Sequence, residues 1–260
     1  MTHCAFRFYA ELSDFLPPSR RHLGFAYPLE LRGSVKDMIE ALGVPHTEID
    51  LILVNGESVD FSYLVQDGDQ ISVYPVFESI DIAPLVRVRP KPLREARFVL
   101  DTHIGKLAIY LRMVGFDSLY RNDYQDEELA RVSSSEGRIL LTKDRGLLKR
   151  NTVTHGYCVR ASHPQQQLVE VLRRFDLLRS IAPFQRCLRC NGLLRPIRKE
   201  AIIDRLLPKT RQYYDEFHIC ESCDRIYWKG SHYQGMQRFV EHLLEDEETS
   251  SGVPRPVGWQ

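Results

Sequence analysis

Two groups of residues in this 260-residue chain have the types and spacing for chemistry. The first is a set of carboxylates. Asp101 closes the apolar run RFVL, and Asp144 follows RILLTK. A lone charge after a buried β-rich run is costly unless it is matched, so a functional role is expected of both. Asp126 and Glu127 open the segment DEELARVSSSEG, with Asp123 just before them. An acid at a helix start ordinarily serves as a cap or a dipole partner. Capping is therefore the expected role of Asp123, Asp126 and Glu127 taken singly, and Asp117 reads as structural. Taken together, acids distant in sequence that meet at one edge make a hard-oxygen donor set suited to Mg²⁺ or Mn²⁺. Two such ions activate water and stabilise the leaving oxygen of a phosphodiester. Without metal, the clustered charges would raise one another's pKa.

The second group is four cysteines in two CxxC pairs, Cys187/Cys190 in RCLRCNG and Cys220/Cys223 in HICESCDRIYW. The two-residue spacer lets both thiolates turn onto one ion, and two such knuckles complete a tetrahedral Zn²⁺ site. Structural zinc is the expected occupant, with a redox dithiol as the alternative. His218 and His232 lie close enough to be ligands, but four cysteines already close the coordination and leave no open position for catalysis. Cys4 and Cys158 stand alone.

Cations accompany both groups. Lys106, Arg112, Lys143 and Arg145 surround the acid-bearing segments. They are candidate phosphate contacts, which set affinity and register without reading sequence. Charged residues on helix faces are mostly solvated; among these four, Arg112, set in an apolar stretch, and Arg145 have the strongest case. Around the cysteines, Arg186, Arg189, Arg195, Arg198, Arg205 and Arg211 interleave with Tyr213, Tyr214, Tyr227, Trp228 and Tyr233. Such a surface suits RNA, with arginines on phosphate and aromatic faces on unpaired bases. For Tyr227 and Trp228 packing is the expected role, because a small metal domain needs its aromatics inside.

The elements that must position these groups follow from periodicity. RFVLD, FDSLYR, RILLTKD and GYCVRA read as strands. THIGKLAIYLRMVG, DEELARVSSSEG, GLLKRNT and HPQQQLVEVLRRFDL read as helices between and after them. That alternation predicts an α/β/α layer with a parallel sheet. Ligands in such sheets sit beyond the carboxyl ends of the strands, where Asp101 and Asp144 fall and which Asp126 and Glu127 face. Before this segment the order is strand, strand, helix, strand, strand: HCAFRFYAEL, FAYPLEL, a helix capped by Ser34, DLILVNGESV with an Asn-Gly turn, and DGDQISVYPVF. That order suggests a β-grasp unit. The expected organisation is a β-grasp unit at 1–80 and a proline-bearing linker at 81–96. An α/β core at 97–180, a zinc ribbon at 181–240 and a flexible acidic and Ser/Gly/Pro-rich tail at 241–260 complete it.

Composition adds bounds. The chain is 43% hydrophobic and 27% charged with zero formal net charge, as in ordinary soluble globular proteins. Bulk charge therefore does not announce a nucleic-acid partner. No apolar run reaches the ~18 residues of a membrane span, and MTHCAFRFYAELSD lacks a signal-peptide layout. A cytoplasmic location without membrane partners is expected, which favours metal over disulfides for the cysteines.

Several blocks also carry resemblances. VNGESV and LVQDGDQISVYP resemble the ubiquitin-like sulfur carriers, but no terminal glycine pair follows them. Docking or regulation is thus expected in place of thiocarboxylate chemistry. RFVLDTHIGKLAIYLRMVGFDSLY, DEEL and RILLTKDRGLLKR, with the cysteine-rich end, resemble the Mut7-C RNase domain, a PIN-like nuclease family. The N-terminal unit resembles the ubiquitin-like domain that accompanies it. The resemblance implies a metal-dependent endoribonuclease acting on single-stranded RNA. It implies Asp101 as the first-strand acid, Asp144 as the acid of the T-x-D motif, and Asp126 as the intermediate acid with Glu127 and Asp123 as substitutes. Thr102-His103 departs from the small or apolar residues usual there, and His103 is a weaker candidate for touching substrate. A protein partner is expected at the ubiquitin-like unit. The alternative is a non-catalytic RNA- or ribosome-binding module regulated through that unit.

Overall fold

The computed structural model describes residues 2–29, 33–75, 85–88, 95–230 and 233–241. Most of the expected spacer at 81–96, and residues 242–260 of the expected tail, lie outside that set. Contacts divide the chain into two compact units, both discontinuous in sequence: Met1–Ile104 with Tyr120–Arg160, and Gly105–Leu119 with Ala161–Gln260.

The first unit begins with a five-stranded sheet. Its strands are β1 (His3–Phe8), β2 (Gly24–Pro28), β3 (Leu51–Val54), β4 (Glu57–Ser58) and β5 (Gln70–Tyr74). Their order is β2-β1-β5-β3-β4, with β1 and β5 parallel and the other pairs antiparallel. This is the β-grasp arrangement. β1 alternates as expected but stops at Phe8, because Ser13 Oγ takes the Phe8 carbonyl at 2.9 Å and starts a 3-10 turn over Ala10–Phe15. Helix α1 (Val35–Ala41) is capped by Ser34, whose hydroxyl accepts the Asp37 N–H. It packs Val35 and Ile39 inward with Phe6, Phe8, Ile52, Ile71 and Val73. The β3–β4 turn is Asn55-Gly56, both at positive φ (52° and 91°), as a tight hairpin requires.

The same unit holds strands β6 (Phe98–Leu100), β8 (Ile139–Thr142) and β9 (Gly156–Cys158), all parallel. In sequence, the change from one unit to the other falls within strand β7 (Ser118–Tyr120), after Leu119. The three paired strands are buried along their whole length, as befits a parallel sheet covered on both faces. Helix α3 (Asp126–Glu136) ends at Gly137 in the left-handed conformation and buries Leu129, Ala130 and Val132. Short helix α4 (Arg145–Leu148) follows β8 directly.

The β-grasp segment grips this sheet. On β9, Val159 N–H bonds back to Thr142 O, so Cys158 N–H points away from β8. Glu48, only 1% exposed, accepts that N–H and pairs with Arg160 at 3.2 Å. His46 Nε2 sits 2.9 Å from Val153 O, Lys149 donates to Glu40 O and Lys36 to Asn151. An open strand edge is a liability, and Glu48 closes this one. Glu48→Ala removes the carboxylate partner of Arg160 and the acceptor of the Cys158 N–H. Because Arg160 keeps some solvent, the expected loss is about 3 kcal/mol, the low end for breaking a buried pair. It is read as a shift in urea unfolding, with Glu48→Gln, which keeps an acceptor, losing less.

The second unit contains helices α2 (Gly105–Met113) and α5 (Pro164–Arg174), which pack on each other, and a three-stranded antiparallel sheet. That sheet comprises β10 (Leu194–Ile197), β11 (Phe217–Cys220) and β12 (Ile226–Trp228) in that order. A 3-10 turn and helix α6 (Pro208–Tyr213) join β10 to β11. Gly115, at φ 102°, has the Ala182 backbone where a side chain would be. Among the described residues no helix is long and apolar enough to cross a membrane.

Candidate active site and metal centre

The carboxyl ends of β6 and β8 are neighbours, since Leu100 pairs with Leu141. Asp101, the residue after β6, donates its N–H to Leu141 O. Thr142, the last residue of β8, donates its hydroxyl to Asp101 Oδ2 at 2.7 Å and accepts the Asp144 N–H at 2.9 Å. One fully buried threonine thus ties Asp101 to the backbone of Asp144. Asp101 is 6% exposed. Burial works against its ionisation, but hydrogen bonds from Thr142, Thr102 and His103 outweigh it and hold the carboxyl below the usual carboxylate range. Asp144 is exposed and caps α4, with Oδ1 accepting Gly146 N–H at 2.7 Å.

The intermediate acids have other partners. Asp126 and Glu127 start α3, and Arg150 sits 3.7 Å and 3.0 Å from them. Glu127 is held below the carboxylate range by its own backbone N–H and by Arg150. Asp123 pairs with Arg121 at 3.0 Å through two hydrogen bonds and, on that account, titrates low. None of the three is the side-chain cap of α3, whose N-cap is Gln125. Among the described residues the four cysteines are the group of three or more ligand-type side chains close enough to share an ion; the carboxylates do not form one. His103 is exposed, with Nδ1 3.2 Å from Asp101 Oδ1.

The cations separate sharply. Lys143 and Arg145 flank Asp144 on the exposed turn. Lys106 is exposed on α2 in the second unit. Arg112 was a candidate phosphate contact and is instead 3% exposed. Its guanidinium donates to the carbonyls of Ser118, Leu188 and Arg189. An arginine inside an apolar helical stretch was there for its fork of donors, which organises the first cysteine knuckle.

The four cysteine Sγ atoms lie within 4.8 Å of one another, with Cys190 to Cys220 at 3.4 Å and Cys187 to Cys223 at 3.7 Å. A tetrahedral ion with ~2.3 Å metal–sulfur bonds would set sulfurs about 3.8 Å apart, so the spacing fits a metal such as zinc. Both knuckles close alike. Asn191 and Asp224 take positive φ (71° and 54°) and return their N–H to Cys187 O and Cys220 O. Asn and Asp tolerate that conformation better than other side chains. A Cβ at Gly192 would collide with Ser222 and crowd Cys220 Sγ. Asn191 also accepts the Ser118 N–H and donates to Asp117, which gives Asp117 the structural role expected of it. Burial disfavours the Cys187 thiolate, yet the Tyr227 hydroxyl and backbone N–H groups bring this thiol down to about 6. Burial, reinforced by neighbouring thiols, pushes Cys190 up to about 12.

Tyr227 packs against Cys187 as expected, its hydroxyl also accepting the Leu188 N–H. Trp228 does not go inside: it is 37% exposed, and Tyr213 is 68% exposed. Three strands cannot enclose every ring on both faces, so β12 leaves its last residue out.

The fold and these two sites define a β-grasp-bearing α/β protein with two hydrogen-bond-linked acids at the ends of parallel strands and a four-cysteine cluster that could hold a metal. The family model for the Mut7-C RNAse domain matches residues 96–240, and the one for Mut7-C ubiquitin matches residues 1–81. The chain belongs to the Mut7-C RNase domain family. It is 27% identical over 171 residues to the human exonuclease mut-7 homolog, spanning 64% of this chain but only 17% of that protein. Small archaeal modifier protein 1 of H. volcanii aligns over 29% of this chain and 98% of its own, at 19% identity and a TM-score of 0.24. Family membership supports a nuclease-type function.

Proposed function

We propose that the protein is a metal-dependent, PIN-like endoribonuclease acting on single-stranded RNA. The observation that carries this reading is the hydrogen-bonded chain from Asp101 through Thr142 to Asp144 at the ends of adjacent parallel strands. An ionised, buried Asp101 beside an exposed Asp144 has the hard-oxygen donors that suit Mg²⁺ or Mn²⁺. A third donor would come from Asp126 or Glu127 on release from Arg150, with Asp123 as the further substitute. A bound divalent cation supplies Lewis acidity toward the phosphodiester and its attacking water. The chain's residues do the rest. Thr142 and Thr102 keep the Asp101 carboxylate aimed and ionised, and Lys143 and Arg145 offset charge developing on the phosphate. His103 flanks Asp101 where it can hold or pass a proton.

In this reading the cysteine centre holds Zn²⁺ and is structural. Exposed Tyr213 and Trp228, among exposed Arg195, Arg198 and Arg211, present stacking faces and phosphate partners to unpaired RNA. A protein partner at the ubiquitin-like unit and a cytoplasmic setting belong to the same proposal. The test is incubation with labelled single-stranded RNA with and without Mn²⁺, alongside Asp144→Asn. Mn²⁺-dependent internal cuts that the variant loses are expected. Binding without cutting by the unaltered protein would favour a non-catalytic RNA-binding module.

A further inference from the structure

Arg145 directly follows Asp144 and is the first residue of α4. A cation there opposes the helix dipole, and its side chain is exposed. Something must hold it. The holder comes from the β-grasp segment: the Arg145 guanidinium carbon lies 4.8 Å from the Phe15 ring centroid, and Nη1 is 3.4 Å from Phe15 O. The same ring carries Arg160 at 5.0 Å. Two guanidiniums on one ring repel, but Arg160 is paired with Glu48. The charge that remains at the ring is that of Arg145, beside Asp144. Glu48 also takes the Cys158 N–H, and Cys158 is the register partner of Thr142, which links Asp101 to Asp144. The β-grasp segment therefore holds the sheet at the very level where the acids stand.

We infer that the β-grasp segment is a fixed arm of the acid rim, in which Phe15 is a positioning residue that presents Arg145 to an RNA phosphate. This rests on the single-stranded RNA reading above. It assigns the ubiquitin-like part a role in substrate binding, and the opposite arrangement, in which this part masks the rim, predicts an effect of opposite sign.

The test is equilibrium binding of a labelled single-stranded RNA to the full chain without divalent metal, so that no cutting is needed. Phe15→Leu is expected to weaken binding about 2- to 5-fold, the scale of one cation–π contact. Phe15→Tyr, which keeps the ring, restores it. Arg145→Ala weakens it further and makes the dependence of log K on log salt shallower by about 0.7, one phosphate contact to a single strand. In the Arg145→Ala background, Phe15→Leu has no further effect. Tighter or unchanged binding by Phe15→Leu, or additive losses in the double variant, overturns the inference, as does an unaltered protein that binds no RNA. An unaltered protein that binds with this coupling yet never cuts leaves the inference standing and removes the nuclease.

Discussion

Asp144→Asn is expected to leave the protein folded and to lower Mn²⁺-dependent RNA cutting by a factor on the order of 10³ or more, as removal of a central catalytic group does. The carboxylate contributes two things. Oδ1 accepts the Gly146 N–H and caps α4, and in the proposed mechanism its charge would complete the donor set with Asp101. Asparagine keeps the first, because its amide oxygen is a good cap, and loses the second. Stability should therefore move little while turnover collapses. Asp101→Asn should cost as much activity and more stability. Its carboxylate accepts from Thr142, Thr102 and His103 at once, and an amide nitrogen facing one of those donors leaves it unmatched in a buried place. Cutting rates under saturating RNA and circular-dichroism melts separate the two effects. Either variant retaining more than about a tenth of the rate would remove that acid from the chemistry.

Removal of metal from the cysteine centre is expected to melt the second unit's sheet. β10, β11 and β12 are short, and only the central β11 is largely buried. A cross-link made by the two knuckles through one ion would do for them what a large core does elsewhere. Binding free energies of structural zinc in comparable small sites run to about 10 kcal/mol or more. Elemental analysis should find one zinc per chain. Chelation should speed the amide exchange of Cys220 and Ile219, and Cys220→Ser should do the same without chelator. Arg112 makes the consequence reach further: with the knuckle open, its buried guanidinium loses the Leu188 and Arg189 carbonyls. A metal-free chain whose ribbon amides stay protected would show that hydrogen bonding alone holds it. Recovery of the four cysteines as disulfides would favour the redox alternative.

Much of this protein was legible in its residues. The alternation of strand and helix patterns located β6, β8, β9, α3 and α5. Ser34 announced the start of α1 and Asn55-Gly56 a tight turn. These are local signals: a cap, a positive φ or an apolar period depends on a few neighbouring residues. The doubled CxxC spacing pointed to the four-sulfur cluster for the same reason, since each knuckle is a closed local turn. The helix-opening acids were different. Their type and place offered capping or metal, and the structure adds pairing with Arg150 and Arg121, partners that only side-chain packing selects.

By itself, then, the sequence determined the elements, the strand ends on which Asp101 and Asp144 fall and the two cysteine turns. Tertiary structure alone decided that Thr142 would join the two acids, that Arg112 would turn inward to carbonyl oxygens, and that Trp228 would stay out. It also decided that Phe15 and Glu48 would reach across more than a hundred residues to Arg145 and Arg160. The physical reason is range. Backbone conformation and apolar periodicity are settled within a few residues, whereas the partner of a charged side chain is settled by whichever complementary group the finished packing brings within about 3 Å.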